Sequence, residues 1–376
     1  MKNKIAILSI KSINPKIGVG GTQAVVAWLI QSLKDDFDIT FYTTDVDLDL
    51  DALNKQYGTS LNSDDFNRVV ISVVNLPPKL SILKRSLLLR RLKAIFTQSH
   101  YKVIFSADKE VDLGSDVKVI QFMHGPIMGI YDKGGCTGIM CSIYYWACQL
   151  ISGFSWDNLR KNTTITNSYY TASELKREYD INAEVVYPPV SPQIVSSKPW
   201  SDRTNDFVLI SRISFEKRIE DAINILDKVR EKYPNLALII AGSSEGGQYE
   251  EKINKMITAR SWVSYKGALS RVELAKLLNN SKYLVNTRRD EPFGMVVAEA
   301  LIAGVIPFVY NDGGQIEIAR DKHLVFGSND EAVDKIILVL SQKMVQDELR
   351  QNLLVHGEKF SISAFKRDIM NIIEKQ

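Results

Sequence analysis

One stretch, Glu291-Pro-Phe-Gly-Met-Val-Val-Ala-Glu299, constrains the chain more than any other. It reads as a polar loop running into a helix: Pro292 suits the first helical position, and Val296, Val297, Ala300 and Leu301 supply an apolar face. Gly304 stops that helix, residues 306–310 read as a strand, and residues 282–286 form another apolar run upstream. Strand, loop, helix, strand is a parallel crossover unit, with a helix N-terminus at the carboxyl end of a strand. Such a place binds ligands in open α/β sheets, and its free N–H groups attract phosphate. Two carboxylates eight positions apart could bracket a nucleotide diphosphate, since an ionised carboxylate accepts strong hydrogen bonds from sugar and ribose hydroxyls. The plain alternative is one loop glutamate and one on an exposed helix face.

At 376 residues the chain can bury two sizeable cores, and its 45% apolar and 24% charged content are those of a globular protein. A net charge of +3 is too small to argue for nucleic acid. Cys136, Cys141 and Cys148 crowd one segment without metal-ligand spacing, so reduced thiols and a cytoplasmic setting are expected. No apolar leader precedes the strand that opens at Ile5. After it, Gly18-Val19-Gly20-Gly21 leads into a helix from Thr22, a turn that lets a ligand or its phosphates approach the backbone. The spacing is not a dinucleotide fingerprint, and a loop of no special role fits as well. Residues 38–44 are a second strand. Asp45, Asp47, Asp49 and Asp51 then alternate with Val46, Leu48 and Leu50, which reads as a solvated edge and not as a metal site.

Residues 66–107 hold eight basic side chains and no acidic one. Within them, residues 80–96 form a helix with Leu83, Leu87, Leu88, Leu92, Ile95 and Phe96 set against Lys84, Arg85, Arg90, Arg91 and Lys93. Such a helix can lie on an anionic membrane, or can pack on the sheet with its basic face in water. Residues 103–106 and 117–122 are strands, and His124-Gly125-Pro126 follows at the ligand-binding edge. Residues 134–156 carry no charge at all. Their glycines and hydroxyls, and the strand at 163–166 that must rejoin the same sheet, favour a buried or interfacial helix over a membrane span.

A last strand at 183–187 ends in Pro188-Pro189, and residues 191–205 read as a linker. The pattern then restarts: a strand at 207–210, a loop with Arg212 and Lys217 placed to neutralise a diphosphate (or a plain surface pair), and a helix from about 218 to 232. Strands at 236–240, 262–265 and 324–326 continue the alternation, and the chain beyond Asn329 reads as almost all helix. The fold class is α/β: two Rossmann-like doubly wound domains, 1–190 and 206–358, facing a cleft, with residues 359–376 a helix packing back on the first.

Taken together, Gly20-Gly21, His124-Gly125, Asn167-Ser168, Tyr187-Pro-Pro, Ser211-Arg212 through Lys217, the 291–299 block and Gly313-Gly314 with Glu317 resemble the family 4 glycosyltransferases of the GT-B fold. The resemblance runs over nearly the whole chain except residues 45–115. It implies a nucleotide-diphosphate sugar donor, GDP- or UDP-linked, held by the second domain, with retention at the anomeric carbon, no metal and no cofactor. By that resemblance Arg212 and Lys217 hold the diphosphate, Glu291 touches the donor sugar, and backbone amides from Phe293 through Gly294 and Met295 to Val296 cradle phosphate and sugar. Glu299 binds ribose, His124 sits near the reacting sugar, and the Gly20-Gly21 loop admits phosphate or acceptor. Arg218 stands where many members have glycine, and residues 11–16 differ from the usual small-residue loop.

Tyr187-Pro-Pro and the aromatic run after His124 are similar to mannosyltransferases acting on lipid-linked oligosaccharides. The expectation is a hexosyltransferase, moving mannose or glucose in α-linkage to a lipid-linked or surface glycan. It would be peripheral on the cytoplasmic, anionic face of a membrane and without nucleic-acid partners. The competing readings are an epimerase or phosphorylase on the same fold, and a silent glycan- or membrane-binding scaffold.

Overall fold

The computed structural model describes residues 2–17, 20–107, 110–125, 138–194, 198–244 and 246–376. The chain divides into two compact units, Met1–Tyr187 with Lys366–Gln376, and Pro188–Phe365.

The first unit is built on a parallel sheet of β1 (Asn3–Ser9), β2 (Phe37–Thr43), β3 (Asn67–Val70), β4 (Val103–Ser106), β5 (Val119–Met123), β6 (Thr163–Thr166) and β7 (Ala183–Val185). Their order is β3-β2-β1-β4-β5-β6-β7. Ile5, Ala6, Ile7 and Leu8 are fully buried because β1 lies between β2 and β4 with both faces covered, which is why it reads as an unbroken apolar run. The sequence gives no sign of β3. It is an edge strand, Asn-Arg-Val-Val, whose residues are all at least partly accessible, so no buried face marks it.

The helices of this unit are α1 (Gly21–Leu33), α2 (Leu50–Tyr57), α3 (Ser81–Thr97), α4 (Ile139–Ser152), α5 (Trp156–Lys161) and α6 (Tyr169–Tyr179). The aspartate run is only in part the expected solvated edge: Asp47 and Asp51 are exposed, the other two are not. Asp45 is buried and accepts a bond from Ile13 N at 2.9 Å, while Asp49 caps α2 through Ala52 N at 2.9 Å. Helix α3 buries Leu88, Leu89, Leu92 and Phe96 in a core with Leu8, Tyr42 and Ile104, but Leu83, Leu87 and Ile95 remain partly accessible. Its basic face is not wholly solvated either. Arg85 pairs with Glu110 at 2.6 Å and Lys93 with Asp112 at 2.8 Å, acids that lie just beyond the acid-free stretch. Cys141 is disulfide-bonded, contrary to the expected reduced state, and Cys148 is free and buried. Cys136 and Pro126 lie outside the described residues. Among the described residues, no helix is long and apolar enough to cross a membrane.

The second unit holds β8 (Thr204–Ile210), β9 (Leu238–Ala241), β10 (Val263–Tyr265), β11 (Ser281–Asn286), β12 (Ile306–Tyr310) and β13 (Val325–Phe326), all parallel, in the order β10-β9-β8-β11-β12-β13. Around it run α7 (Ile219–Lys232), α8 (Gln248–Thr258), α9 (Arg271–Asn280), α10 (Met295–Ile302), α11 (Gln315–Ala319), α12 (Asn329–Ser341) and α13 (Lys343–Gly357), and α14 (Ile362–Glu374) passes from this unit into the first. Phe207 stacks on Tyr283 at 5.0 Å across β8 and β11, an aromatic seam down the middle of the sheet. Residues of the expected linker pack into this unit: Ile194 is fully buried, Arg203 donates to Ala303 O at 2.8 Å, and Trp200 lies 4.4 Å from the Arg350 guanidinium. The last residues return to the first unit, where Lys366 pairs with Asp36 at 2.6 Å and Lys375 with Glu184 at 2.7 Å.

Candidate active site

In the second unit, the loops that leave the carboxyl ends of β8, β11 and β12 meet. The β8 loop closes in a single turn of 3-10 helix over Phe215–Lys217, and Arg218 follows with φ 50° as the N-cap of α7. Arg218 therefore adopts the left-handed conformation that glycine takes without cost, at an expense of roughly 1–2 kcal/mol for a side chain. The turn is held by other means: Thr287 Oγ1, just past β11, donates to Arg218 O at 2.8 Å and to Lys217 O at 3.2 Å.

That clasp brings Lys217 beside Glu291. Lys217 Nζ lies 3.4 Å from Glu291 Oε2, and the same oxygen accepts from Arg288 Nη1 at 2.9 Å. All three side chains are largely buried, at 16%, 14% and 23% exposure. Burial holds the Lys217 ammonium below its ordinary value; Glu291 pulls it up, and Arg288 pushes it further down. Two cations share one carboxylate, so the cluster keeps a net positive charge. Arg288 Nε is buried and has no hydrogen-bond partner among the described residues.

Helix α10 adds a second attraction. It starts at Met295 and not at Pro292, because Gly294 adopts φ 104° ahead of it, and Phe293 is buried against Phe360 at 5.9 Å. A Cβ on Gly294 would meet Gln315 Cβ at 3.2 Å. The first intrahelical bonds run from Val297 N and Ala298 N to Gly294 O, which leaves the amides of Met295 and Val296 without an intrahelical acceptor. The Glu291 loop is pinned from the β12 side. Gly314 N donates to Glu291 O at 2.7 Å, and Gly313, at φ 81°, has room only for hydrogen: a Cβ would sit 2.3 Å from Glu291 O. The fully buried Gln315 donates through Nε2 to Arg288 O, Tyr310 O and Asp312 O at 2.8–3.0 Å.

Glu299, in the same helix, is not on an exposed face. It is 5% exposed, and its Oε1 pairs with Arg271 Nη1 at 2.6 Å. Arg271 is placed by the capping box of Ser270 and Glu273 at the start of α9, and its Nε is buried without a partner. Arg212 stands half-exposed, 3.7 Å from Glu216. So Lys217 and Glu291 come into contact, Glu299 forms a second buried ion pair, and Phe293 to Val296 make the helix entry. Arg271, Arg288, Thr287 and Gln315 were missed. The Ser270-x-x-Glu273 box that encloses Arg271 and the Arg288-Arg289 pair just ahead of Glu291 are the available signals.

His124, Gly20 and Gly21 belong to the first unit. His124 follows β5 and stacks on Phe122 at 4.4 Å. Its Nε2 lies 2.9 Å from Ala107 O, which can only accept, so Nε2 carries the proton and Nδ1 is an acceptor. Burial pushes this imidazole down to about 4, against the opposing pull of the Ala107 carbonyl, and nearby Lys11 lowers it further. It is neutral at physiological pH. Gly20 is the N-cap of α1 in an extended conformation and offers no side chain, and Gly21 opens the helix. Gly18 and Val19 lie outside the described residues. Among the described residues, no three His, Cys, Asp or Glu side chains converge as metal ligands.

Residues 190–359 match the family described as glycosyl transferases group 1. A GDP-Man:Man(3)GlcNAc(2)-PP-Dol alpha-1,2-mannosyltransferase of Dictyostelium discoideum is 23% identical over 260 residues, covering 63% of this chain and 50% of that protein. The chain thus spans about half the length of that curated relative. Among solved structures, the Anabaena protein HepE in complex with UDP and glucose superposes with a TM-score of 0.68 at 17% identity, covering 100% of both chains. Sucrose-phosphate synthase of Thermosynechococcus elongatus superposes at 0.72 with 14% identity, covering 100% of this chain and 99% of that one. These likenesses show the GT-B fold.

Proposed function

We propose, for a chain whose residues 190–359 match the group 1 glycosyl transferases and which carries the GT-B fold, a retaining hexosyltransferase that uses a GDP- or UDP-linked sugar without metal. The acceptor is a lipid-linked or surface glycan, and the sugar is mannose or glucose, added in α-linkage. The mannosyltransferase relative supports mannose and the lipid-linked class of acceptor.

The observation that carries this reading is the buried Lys217–Glu291–Arg288 cluster, net positive, in the loops that lead to the uncapped start of α10. In transfer, the bond between the anomeric carbon and the diphosphate oxygen breaks, and its electron pair leaves with the diphosphate. The acceptor hydroxyl oxygen forms the new bond to the anomeric carbon, and its proton passes to the departing diphosphate oxygen. Lys217, Arg288, Arg212 and the first amides of α10 meet the growing charge, which preorganised donors do without an added acid. Glu291 accepts from a sugar hydroxyl once the anion draws the cations, and Glu299, oriented by Arg271, accepts from the ribose. Neutral His124 presents Nδ1 as an acceptor to the reacting sugar. The protein works peripherally at a membrane surface.

The test is incubation with GDP- and UDP-linked hexoses, with and without acceptor, followed by proton NMR of the anomeric centre. The reading expects slow acceptor-free release of the α-anomer from one donor. A β-product would remove retention, dependence on inorganic phosphate would indicate a phosphorylase, and an unhydrolysed donor with altered sugar stereochemistry an epimerase. No turnover with intact nucleotide binding would leave the scaffold reading.

A further inference from the structure

Helix α4 is inside out. Its outward stripe is Ile139, Ile143, Trp146 and Leu150, at positions i, i+4, i+7 and i+11, with Met140 beside it. These five side chains are 54–81% exposed, whereas the buried residues of the helix are only Cys148 and Ser152. The opposite side is fixed to α3, where Tyr144 Oη accepts a bond from Leu83 N at 3.2 Å, and Gly153 O, just past the helix, accepts from Lys93. An open groove of about 520 Å³ runs along the stripe between Gly138, Ile139, Ser142, Ile143 and Trp146. A contiguous apolar surface of this kind needs a partner.

The charge on α3, the helix packed against the other side of α4, says which. Residues 66–107 contain no acid, and on and just before α3 the cations Lys79, Lys84 and Arg90 have no acidic partner among the described residues. A second copy of the chain docking stripe to stripe would bring two such basic helices together across a two-fold axis, with no acid in either segment to separate them. An anionic lipid surface neutralises them and takes the stripe, and tryptophan is the residue that favours the headgroup boundary. The geometry points to α4 as the element that enters the lipid, with α3 holding the protein on anionic headgroups. This inference deepens the peripheral-membrane part of the proposed function and rests on that reading alone.

The test uses the full chain and vesicles of phosphatidylcholine alone or mixed with phosphatidylglycerol. Wild type is expected to float with the anionic vesicles, and lipids brominated near the headgroup end of the acyl chain are expected to quench Trp146 fluorescence, seen as the difference from Trp146→Phe. The double variant Ile143→Asp and Trp146→Asp replaces exposed side chains, and binding should fall at least about tenfold. Lys84→Glu with Arg90→Glu should remove the preference for anionic over neutral vesicles. Equal flotation of wild type and the stripe variant, or quenching without a Trp146 contribution, overturns the inference. So does a wild-type dimer by light scattering that the stripe variant makes monomeric, because the stripe then serves a second copy. Nucleoside-diphosphate affinity measured by calorimetry on the same proteins separates the two readings: absent binding in wild type defeats the donor reading, while intact binding without flotation defeats only this one.

Discussion

The two units present opposite chemistry at the carboxyl ends of similar parallel sheets. In the second unit the strand ends are charge-dense: Lys217, Arg288 and Glu291 form one buried cluster, Arg271 and Glu299 another, and both guanidinium groups keep an unpaired Nε. In the first, the ends of β5 and β6 hold neutral groups. His124 is kept uncharged by burial, and Asn167, Ser168 and Thr166 bond to one another or to backbone. Burying unbalanced cations is expensive unless an anion arrives, whereas neutral hydrogen-bonding groups suit hydroxyls. On the proposed function, this difference suits the loops of the second unit to a diphosphate and the ends of β5 and β6 to hydroxyl groups.

Breaking the charged side should have the largest effect. Glu291→Ala leaves Lys217 and Arg288 facing each other, and transfer measured with saturating donor should fall about 100- to 1000-fold, the scale of losing one preorganised transition-state contact. Gly313→Ala attacks the same loop through its backbone. Its Cβ cannot fit 2.3 Å from Glu291 O, and a shift in denaturant midpoint equivalent to roughly 2–3 kcal/mol is expected. Glu299→Ala should weaken nucleoside-diphosphate binding by about tenfold or more, and Arg271→Gln should weaken it less, both read by calorimetry. An order with Arg271 dominant would make Arg271 the nucleotide contact and Glu299 its support.

The neutral side should give the smallest effect at pH 7. His124 has a folded value near 4, below its unfolded value, so between those two the unfolded chain binds more protons and stability falls as pH is lowered. Wild type should lose up to about 3 kcal/mol between pH 7 and 4 that His124→Gln does not lose, read as the difference between their denaturant curves. Identical acid profiles would mean that the folded imidazole titrates as it does in the unfolded chain, and the contrast between the units would shrink.

Much of this was legible from the residues. Unbroken apolar runs such as 5–8 could only be central parallel strands, and the Glu291-Pro-Phe-Gly run marked the helix entry within three residues. What escaped was set by long-range packing. Strand β3 has no buried face to advertise it, and Asp45 appears solvated until Ile13 folds over it. Nothing near Glu299 in the sequence announces Arg271, 28 positions away, and the acids that pair with the basic face of α3, Glu110 and Asp112, come only after the next strand. The outward stripe of α4 has the same periodicity as a buried one, so only the structure tells which side it faces.

The most direct measurement is calorimetric titration of wild type and of the Lys217→Ala, Arg288→Gln double variant with a nucleoside diphosphate and, in parallel, with the matching nucleoside. The diphosphate should lose at least about tenfold in affinity in the variant while the nucleoside loses nothing, because only the charged part of the ligand meets those cations. Equal losses for both ligands, or none for either, would place the diphosphate elsewhere and contradict the account.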